Sequence, residues 1–295
     1  MEVIKYQEDH FEALFSYWKK LGEQVPYFFP VSPEKWRECL LDDKLENERL
    51  FPFQEVFVAL EKGKVIGFIQ YGQPAFAWDE NGQLCCNPQI GVLRHFYFDE
   101  DRFDAAHLLF AAGESYMQQF EIRHAFYHIF GMSCNAHHGK LHHSLEHVDR
   151  FLRGNGYRVE HENVYYSLEL TECDPPCQDG LQLVPKPIVE PGIRNYEICL
   201  RDNLIGTLQI RFLDELTGGA TTDIACLTWI GIRQEFRGQG CGTRVLQRLA
   251  ADLHGEHYRQ LHLDTANTNR VAQHFYERFG FENRGITRCY IKTAN

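Results

Sequence analysis

The feature that most constrains the fold is a glycine-rich turn between an apolar strand and an amphipathic helix. It reads Ile230-Gly-Ile-Arg-Gln-Glu-Phe-Arg-Gly-Gln-Gly-Cys-Gly-Thr-Arg-Val-Leu246. After the turn, apolar residues recur at helical spacing. Glycines just before a helix let a ligand approach the backbone, where the first-turn N–H groups and the helix dipole favour an anion. The sequence therefore predicts a diphosphate cradle here, with a turn made only for tightness as the alternative.

A second group of residues lies downstream. The strand Leu261-His-Leu-Asp-Thr ends in polar residues, and Asn269 then begins a helix that carries Phe275 and Tyr276 and stops at Gly280. Asn269 has a purely structural explanation as a helix N-cap, and Tyr276 has one as a core aromatic. Taken alone, neither residue indicates a function.

The chain repeats itself on either side of a break at residues 171–180, which carries two prolines, a glycine and three acids. Residues 64–70 match residues 203–209, and residues 151–157 match residues 275–281. Two short matches in the same order, about equally far apart, predict a tandem duplication. We expect one domain at 1–172, a linker at 173–180 and a second domain at 181–295.

Each half reads as strands followed by alternating helices and strands, which predicts an α/β fold with a mixed sheet, also describable as α+β. The second half lacks the two helices that follow the first strand of the first half, and a proline-rich segment stands in their place. Three further elements are expected: a strand at 124–129, a helix at 142–154 and a last strand at 289–292.

Together these features resemble the GNAT N-acetyltransferase superfamily. Its pattern [Gln/Arg]-x-x-Gly-x-[Gly/Ala] appears at residues 237–242, followed by Asn-x-x-Ala-x-x-aromatic-Tyr at 269–276 and Gly-Phe at 280–281. The resemblance is specific over about residues 228–281, weaker through the rest of the second half and degenerate in the first. It implies two tandem GNAT-like domains, of which the C-terminal one lacks the first two helices.

The resemblance also implies roles for individual residues. Acetyl-CoA is the expected acyl donor, and its diphosphate and pantetheine arm are expected to contact the strand end, the turn and the second helix, at Ile230, Gly231, Ile232, Arg237, Gly238, Gln239, Gly240, Cys241, Gly242, Thr243 and Asn269. Tyr276 is expected to lie near the sulfur as general acid, since a phenol can protonate a departing thiolate. Asp223, just before the strand, is the candidate general base; a water relay is the alternative.

The first half departs from this pattern. Residues 98–106 stand where the cradle belongs, and they contain four acids and no glycine. Negative charge repels a diphosphate, and Leu152 occupies the position that aligns with Tyr276. We therefore expect acetyl-CoA to bind only to the second half.

Composition narrows the possible partners. The net charge of −11 weighs against a nucleic-acid partner. No signal peptide or membrane-spanning apolar run is visible, and scattered cysteines suit reduced thiols, so the sequence predicts a cytoplasmic protein without membrane contact. No metal is expected. The pairs Cys85-Cys86 and Cys173-x3-Cys177 lack further ligands, and the histidines of 137–147 are not joined by a suitable carboxylate.

The sequence thus predicts an N-acetyltransferase that moves acetyl from acetyl-CoA to an amine of a small molecule or peptide by direct attack. The alternative is a non-catalytic CoA-binding sensor or interaction module. Retention of Tyr276 beside an intact cradle favours the enzyme. A monomer or a homodimer is expected.

Overall fold

The chain folds as two compact units. The first comprises Met1–Glu162 and Ile286–Asn295, and the second comprises Asn163–Gly285. The computed structural model describes residues 1–45, 48–78, 84–85, 89–172 and 180–294, with the backbone alone at 77–78 and 84–85. Apart from Gly180, the expected linker lies outside the described residues. The expected sequence domains, 1–172 and 181–295, remain a prediction about the duplication, since the compact units divide the chain differently.

The first unit is a sheet with helices along it. Its elements are β1 (Glu2–Lys5), α1 (Phe11–Gly22), α2 (Pro33–Leu41), β2 (Lys44–Leu45), β3 (Glu48–Arg49), β4 (Phe53–Glu61), β5 (Lys64–Gln73), β6 (Ala77–Trp78), β7 (Leu84–Cys85), β8 (Ile90–Phe98), α3 (Phe103–Met117), β9 (Ile122–Ala125), β10 (Leu141–His142), α4 (Glu146–Gly154) and the start of β11 (Arg158–Glu169). The strands run in the order β1-β4-β5-β8-β9, and only β8 and β9 of these are parallel.

The second unit repeats this plan without the two early helices. Its further elements are β12 (Leu181–Pro185), β13 (Ile193–Leu200), β14 (Asn203–Phe212), α5 (Leu213–Leu216), β15 (Ile224–Ile232), α6 (Cys241–Gly255), β16 (Gln260–Ala266), α7 (Arg270–Phe279) and β17 (Glu282–Thr293), whose last part belongs to the first unit. The order is β11-β16-β15-β14-β13-β12, with β15 and β16 parallel. No helix lies between β12 and β13, as expected.

The core of the second unit lies between the sheet and the helices α6 and α7. The apolar stripe of α6 is buried in it, at Val245, Leu246, Leu249 and Leu253. It packs on strand residues that alternate along β14 and β16, including Leu208, Ile210, Leu261 and Leu263. The intervening residues of these strands face the opposite side of the sheet, which fixes the side chains available there.

The two units share backbone irregularities. β13 and β14 slip register at Ile198/Cys199, and β4 and β5 slip at Ala59/Leu60. A second slip lies within the next strand pair of each unit, at Gln209/Ile210 and at Gln70/Tyr71. Bulges at matching places are what a duplicated fold retains, so the two units share one backbone plan, and the predicted mixed α/β architecture is confirmed.

Three expected elements differ in extent. The strand expected at 124–129 ends at Ala125, because Phe126 has a left-handed φ of 54°. The helix expected at 142–154 begins at Glu146, because Leu141 and His142 pair with β17 instead. β17 is longer than the expected 289–292. None of the helices in the described parts of the chain combines the length and apolar character that crossing a bilayer requires.

Candidate active site

The parallel strands β15 and β16 part after three residue pairs. Their pairing ends at Cys226 and His262, and the described residues form no later pair between them. β15 continues to Ile232 against β14, while β16 continues to Ala266 against β11. The backbone groups of β15 that face β16 beyond this point have no ladder partner, which leaves them available to an extended ligand, apart from the Ile232 carbonyl, which accepts from the Arg237 side chain.

A β-bulge lies just beyond the point of parting. Consecutive residues of β14 lie opposite Trp229 and Leu227, so Thr228 has no residue opposite it. A bulge turns local backbone groups out of the ladder. The predicted contacts Ile230, Gly231 and Ile232 lie between this bulge and the glycine-rich turn.

The turn ends in a helix start without a side-chain cap. Gly238 and Gly240 have φ values of 73° and 75°, in the left-handed region that favours glycine. Gly240 is the N-cap of α6, and no side chain bonds to the first-turn N–H groups. A Cβ added at either glycine would meet nothing within 4 Å, so the space beside the turn is open. A helix start whose first-turn N–H groups lack a side-chain partner suits a phosphate group.

Side chains of the turn brace its backbone. The Arg237 Nε donates to the Ile232 carbonyl at 2.7 Å, and the Gln239 Nε2 donates to the Glu235 carbonyl at 2.8 Å. The Cys241 side chain is buried in the core, so this residue offers a ligand only its backbone. The predicted residues 237–242 thus lie together, with the backbone as the contacting surface.

A groove of about 650 Å³ runs between α6 and α7. Thr243 lines it at the end near the turn, and Val271, Phe275 and Arg278 line it from α7. Val271 is 83% exposed, so this wall is both apolar and accessible. The groove continues the cradle along the helices and has the size of a small-molecule site.

Asn269 begins α7 and caps it. Its Oδ1 accepts a hydrogen bond from the Ala272 N–H at 3.1 Å, and the residue is exposed. The cap accounts for the side-chain oxygen. The amide nitrogen takes no part in that bond, and a pantetheine contact at Asn269 stays a prediction.

Tyr276 is packed within the core, near the middle of α7. Its ring lies 6.1 Å from Tyr166, 5.3 Å from Phe275 and 5.5 Å from Phe281, between centroids. Burial, and then the charge of Asp264, raise the pKa of Tyr276 to about 12. The phenol therefore stays protonated at neutral pH, as a proton donor must.

Asp264 lies near these residues, and the sequence alone did not single it out. It lies two residues beyond His262, the last residue of β16 that pairs with β15, at the level where β15 carries its bulge. The Asn163 Nδ2 donates to its Oδ2 at 2.5 Å. Besides Tyr276, its charge acts on Cys226, whose pKa is raised to about 12 chiefly by burial. The alternation of Leu261 and Leu263 with polar residues was the available signal.

Asp223, the predicted base, lies before the start of β15. Its carbonyl accepts the N–H groups of Arg259 and Gln260 at 2.7 and 3.0 Å, on the paired side of the strands. Thr228 lies five positions further along the chain, roughly 16 Å along a strand. Its position gives the role no support, and the role stays a prediction.

The corresponding place in the first unit is filled. The residue at the bulge is Arg94, which is 2% exposed and donates to the carbonyls of Cys39 and Phe130, both at 2.8 Å. It also forms a buried ion pair with Asp43. Past the strand, Arg102 binds Glu61 through two hydrogen bonds, of 2.9 and 3.0 Å. These residues include neither a glycine turn that leads into an uncapped helix nor a bulge that carries a small, exposed side chain such as Thr228.

The described residues hold no group of three His, Cys, Asp or Glu side chains that could bind a metal ion. In the histidine-rich stretch, His142 contacts the Ser144 hydroxyl and His147 contacts the Phe98 carbonyl, both at 2.8 Å. The side chains of the pairs Cys85-Cys86 and Cys173-x3-Cys177 lie outside the described residues.

Residues 163–281 match the family model of the acetyltransferase (GNAT) family. Three solved structures share the fold over almost the whole chain. One is a glucosamine N-acetyltransferase region of a fungal multi-domain GH3 β-N-acetylglucosaminidase, with a TM-score of 0.67, 13% identity and coverage of 98% of this chain and 38% of that one. Another is a tandem GNAT protein from the clavulanic acid biosynthesis pathway, with a TM-score of 0.63, 14% identity and coverage of 100% and 98%. The third is a GCN5-related N-acetyltransferase from Sphaerobacter thermophilus, with a TM-score of 0.61, 12% identity and coverage of 99% and 95%. The chain thus spans 38% of the fungal protein's length. No curated protein sequence matches the chain.

The GNAT fold supports acetyl transfer in general, and the family generally uses acetyl-CoA. The family match covers the parted strands, the uncapped turn and Tyr276, and the likeness to the tandem structures covers both units. Residues 163–281 thus match the GNAT acetyltransferase family, within a chain that has the fold of tandem GNAT proteins.

Proposed function

We propose that the chain transfers the acetyl group of acetyl-CoA to an amine of a small molecule or peptide by direct attack. The observation that carries this proposal is the uncapped helix start at Gly240, which follows a stretch of β15 without ladder partners. In the proposal a diphosphate lies at the helix start, an extended arm lies along β15, and the protonated Tyr276 lies beside the leaving sulfur.

The backbone N–H groups of residues 237–243 hold the diphosphate in this proposal. The free edge of β15 at Ile230, Gly231 and Ile232 pairs with the pantetheine arm, and the Asn269 amide contacts the same arm. The nucleotide end then lies in the groove between α6 and α7, where Arg278 supplies a positive charge and Phe275 an apolar wall.

Two protons move in the reaction. The ammonium form of the acceptor first loses a proton to a carboxylate, for which we propose Asp264 in place of Asp223, directly or through one water. The neutral nitrogen attacks the carbonyl carbon, a C–N bond forms and the C–S bond breaks. Tyr276 gives its proton to the thiolate, and the amide nitrogen's surplus proton restores the phenol through water. One proton is released per turnover.

The alternative is a CoA-binding module that performs no transfer. Release of free thiol from acetyl-CoA, measured over a panel of amines that includes an amino acid, a polyamine, an amino sugar and a peptide, tests the proposal. Amine-dependent thiol release with matching N-acetylated product is expected. Tight acetyl-CoA binding with no amine-dependent release over the whole panel would establish the sensor instead.

The base assignment has its own test. Asp264→Asn is expected to lower kcat/KM by about 10²–10⁴-fold near neutral pH, and to leave a smaller loss at high pH, where the acceptor is already neutral. Asp223→Asn is the competing variant. If it causes the larger, pH-dependent loss, the base is Asp223.

A cytoplasmic location and a monomeric or homodimeric state complete the proposal.

A further inference from the structure

One surface of the second unit has a defined chemistry that the roles above do not use. It lies on the side of the sheet opposite α6 and α7, around a cavity of about 440 Å³. Strands β13, β14 and β15 supply Asn195, Thr207, Gln209 and Trp229, and the segment after β12 supplies Val189. The link from β12 to β13, which borders this cavity and is fully described, is a short irregular segment without a helix.

Trp229 is exposed yet held in place. Its relative exposure is 60%, although an indole normally gains by burial. Its Nε1 donates to the Thr207 Oγ1 at 3.2 Å. A Cβ added at Gly231 would lie 3.2–3.4 Å from three atoms of the ring, so the glycine lets the indole lie against the strand. The ring face is thus fixed and accessible, next to the bulge at Thr228.

A row of neutral hydrogen-bonding groups lies beside the ring. The Thr228 hydroxyl donates to the Gln209 Oε1 at 2.7 Å, and the Gln209 Nε2 donates to the Asn195 Oδ1 at 3.0 Å. This chain orients both amides, while each amide group has further donor and acceptor capacity. The nearby Glu197 carboxylate is already paired with Lys186 at 3.2 Å.

This lining discriminates among classes of amine. A polyamine needs several carboxylates, and the cavity lining contains none. A peptide bound as a strand needs a free sheet edge; β13 and β14 are each paired on both sides, and the free edge of β15 is taken by the donor's arm in the proposal above. A pyranose ring has an apolar C–H face and an equatorial ring of hydroxyls, which match a fixed aromatic face flanked by amides. The cavity volume lies in the range for small-molecule sites.

The position also suits the reaction. Trp229 adjoins the bulged Thr228, and Asp264 lies at the same level on the neighbouring strand. We propose that this surface is the acceptor subsite and that it holds an amino sugar, with the sugar ring on Trp229 and its hydroxyls on Asn195 and Gln209. The inference rests on the proposed acetyl transfer and names its substrate class.

The test compares two amines that differ in the sugar ring, glucosamine and ethanolamine, with acetyl-CoA as donor. The wild-type protein is expected to prefer glucosamine in kcat/KM by more than about tenfold. Trp229→Ala should raise the KM for glucosamine by about tenfold and so reduce that preference, whereas Trp229→Phe should keep part of it. Leu108→Ala, which truncates an exposed apolar residue of α3 in the first unit, is the control and should change neither value.

A second measurement does not depend on turnover. Saturation-transfer NMR with glucosamine and CoA should show saturation of the sugar ring protons in the wild type, and its loss in Trp229→Ala, whose acetyl-CoA affinity and melting temperature check that the variant is folded. Transfer to ethanolamine without preference for glucosamine, or an equal effect of Trp229→Ala on both amines, overturns this inference alone. If the wild-type protein acetylates no amine, the proposed function falls together with it.

Discussion

Replacement of Gly240 tests the cradle most directly, since the residue combines a left-handed φ of 75° with open space beside it. Asp and Asn both tolerate this conformation better than other side chains, and both are good helix N-caps. They are nearly the same size and differ in charge. Comparing Gly240→Asp with Gly240→Asn therefore isolates the electrostatic part of the effect.

The magnitude follows from Coulomb's law. A carboxylate about 5 Å from each of two phosphate charges costs about 0.8 kcal/mol per phosphate in the fully water-screened limit. The sum, roughly 1.7 kcal/mol, is a loss of affinity of more than tenfold relative to the Asn variant. A lower effective dielectric at the helix start increases the loss, and high salt reduces it.

Calorimetric titration with acetyl-CoA at two salt concentrations measures this difference. Thermal unfolding should show the opposite order, because a negative charge at an N-cap favours the helix dipole. Gly219→Asp is the matched control, since Gly219 has a φ of 77° and equally open space but lies beyond α5. Equal affinities of the Asp and Asn variants for acetyl-CoA would refute the cradle.

Three further outcomes are expected. Tyr276→Phe should lower kcat by about 10²–10⁴-fold while acetyl-CoA affinity stays nearly unchanged, as rapid-quench kinetics and calorimetry would show; an unchanged chemical step reduces the residue to a core aromatic. Calorimetry should give one acetyl-CoA per chain, and two equivalent sites would contradict the loss of binding in the first half. Burial, and then Arg284, lower the pKa of His262 to about 4. The unfolded chain takes up a proton at this residue below about pH 6.5 and the folded chain only below about pH 4, so the free energy of unfolding falls between pH 6.5 and 4, by at most about 3 kcal/mol. His262→Gln should make the free energy of urea unfolding less dependent on pH over that range, and an unaltered pH dependence would count against this reasoning.

The elements that sequence predicted well are those with strong local determinants. The apolar stripe of α6 and the Asn269 cap of α7 depend on a few neighbouring residues, and both lie where the spacing indicated. The strand expected at 124–129 failed because Phe126 adopts a left-handed conformation that apolar patterning does not reveal. The short β10 pairs with β17, some 145 residues away, and no local signal encodes such a pairing.

The candidate site divides in the same way. The turn at 237–242 is local, so its glycines are readable from sequence. The sequence favoured Asp223 as the base and did not single out Asp264, which we propose from the structure, because the point where β15 and β16 part is set by pairing across the sheet. Asp223 lies three positions before Cys226, and Asp264 lies two positions beyond His262; in the sequence both are simply acidic residues at the end of a strand. Only the register at Cys226 and His262 separates them.

The two units show that the backbone alone does not make the site. In both, the residue after the strand with the bulge donates its N–H to the neighbouring antiparallel strand. The Asp99 N–H, after β8, donates to the Ile66 carbonyl of β5 at 2.9 Å, and the Arg233 N–H, after β15, donates to the Ile205 carbonyl of β14 at 2.8 Å. Both carry a bulge before it. In the first unit the bulge bears Arg94, whose guanidinium is satisfied by carbonyls and Asp43, and removing one partner of such a buried pair is costly. That pair occupies the place that the second unit leaves to Thr228, so the same backbone plan carries a buried ion pair in one unit and an exposed hydroxyl in the other.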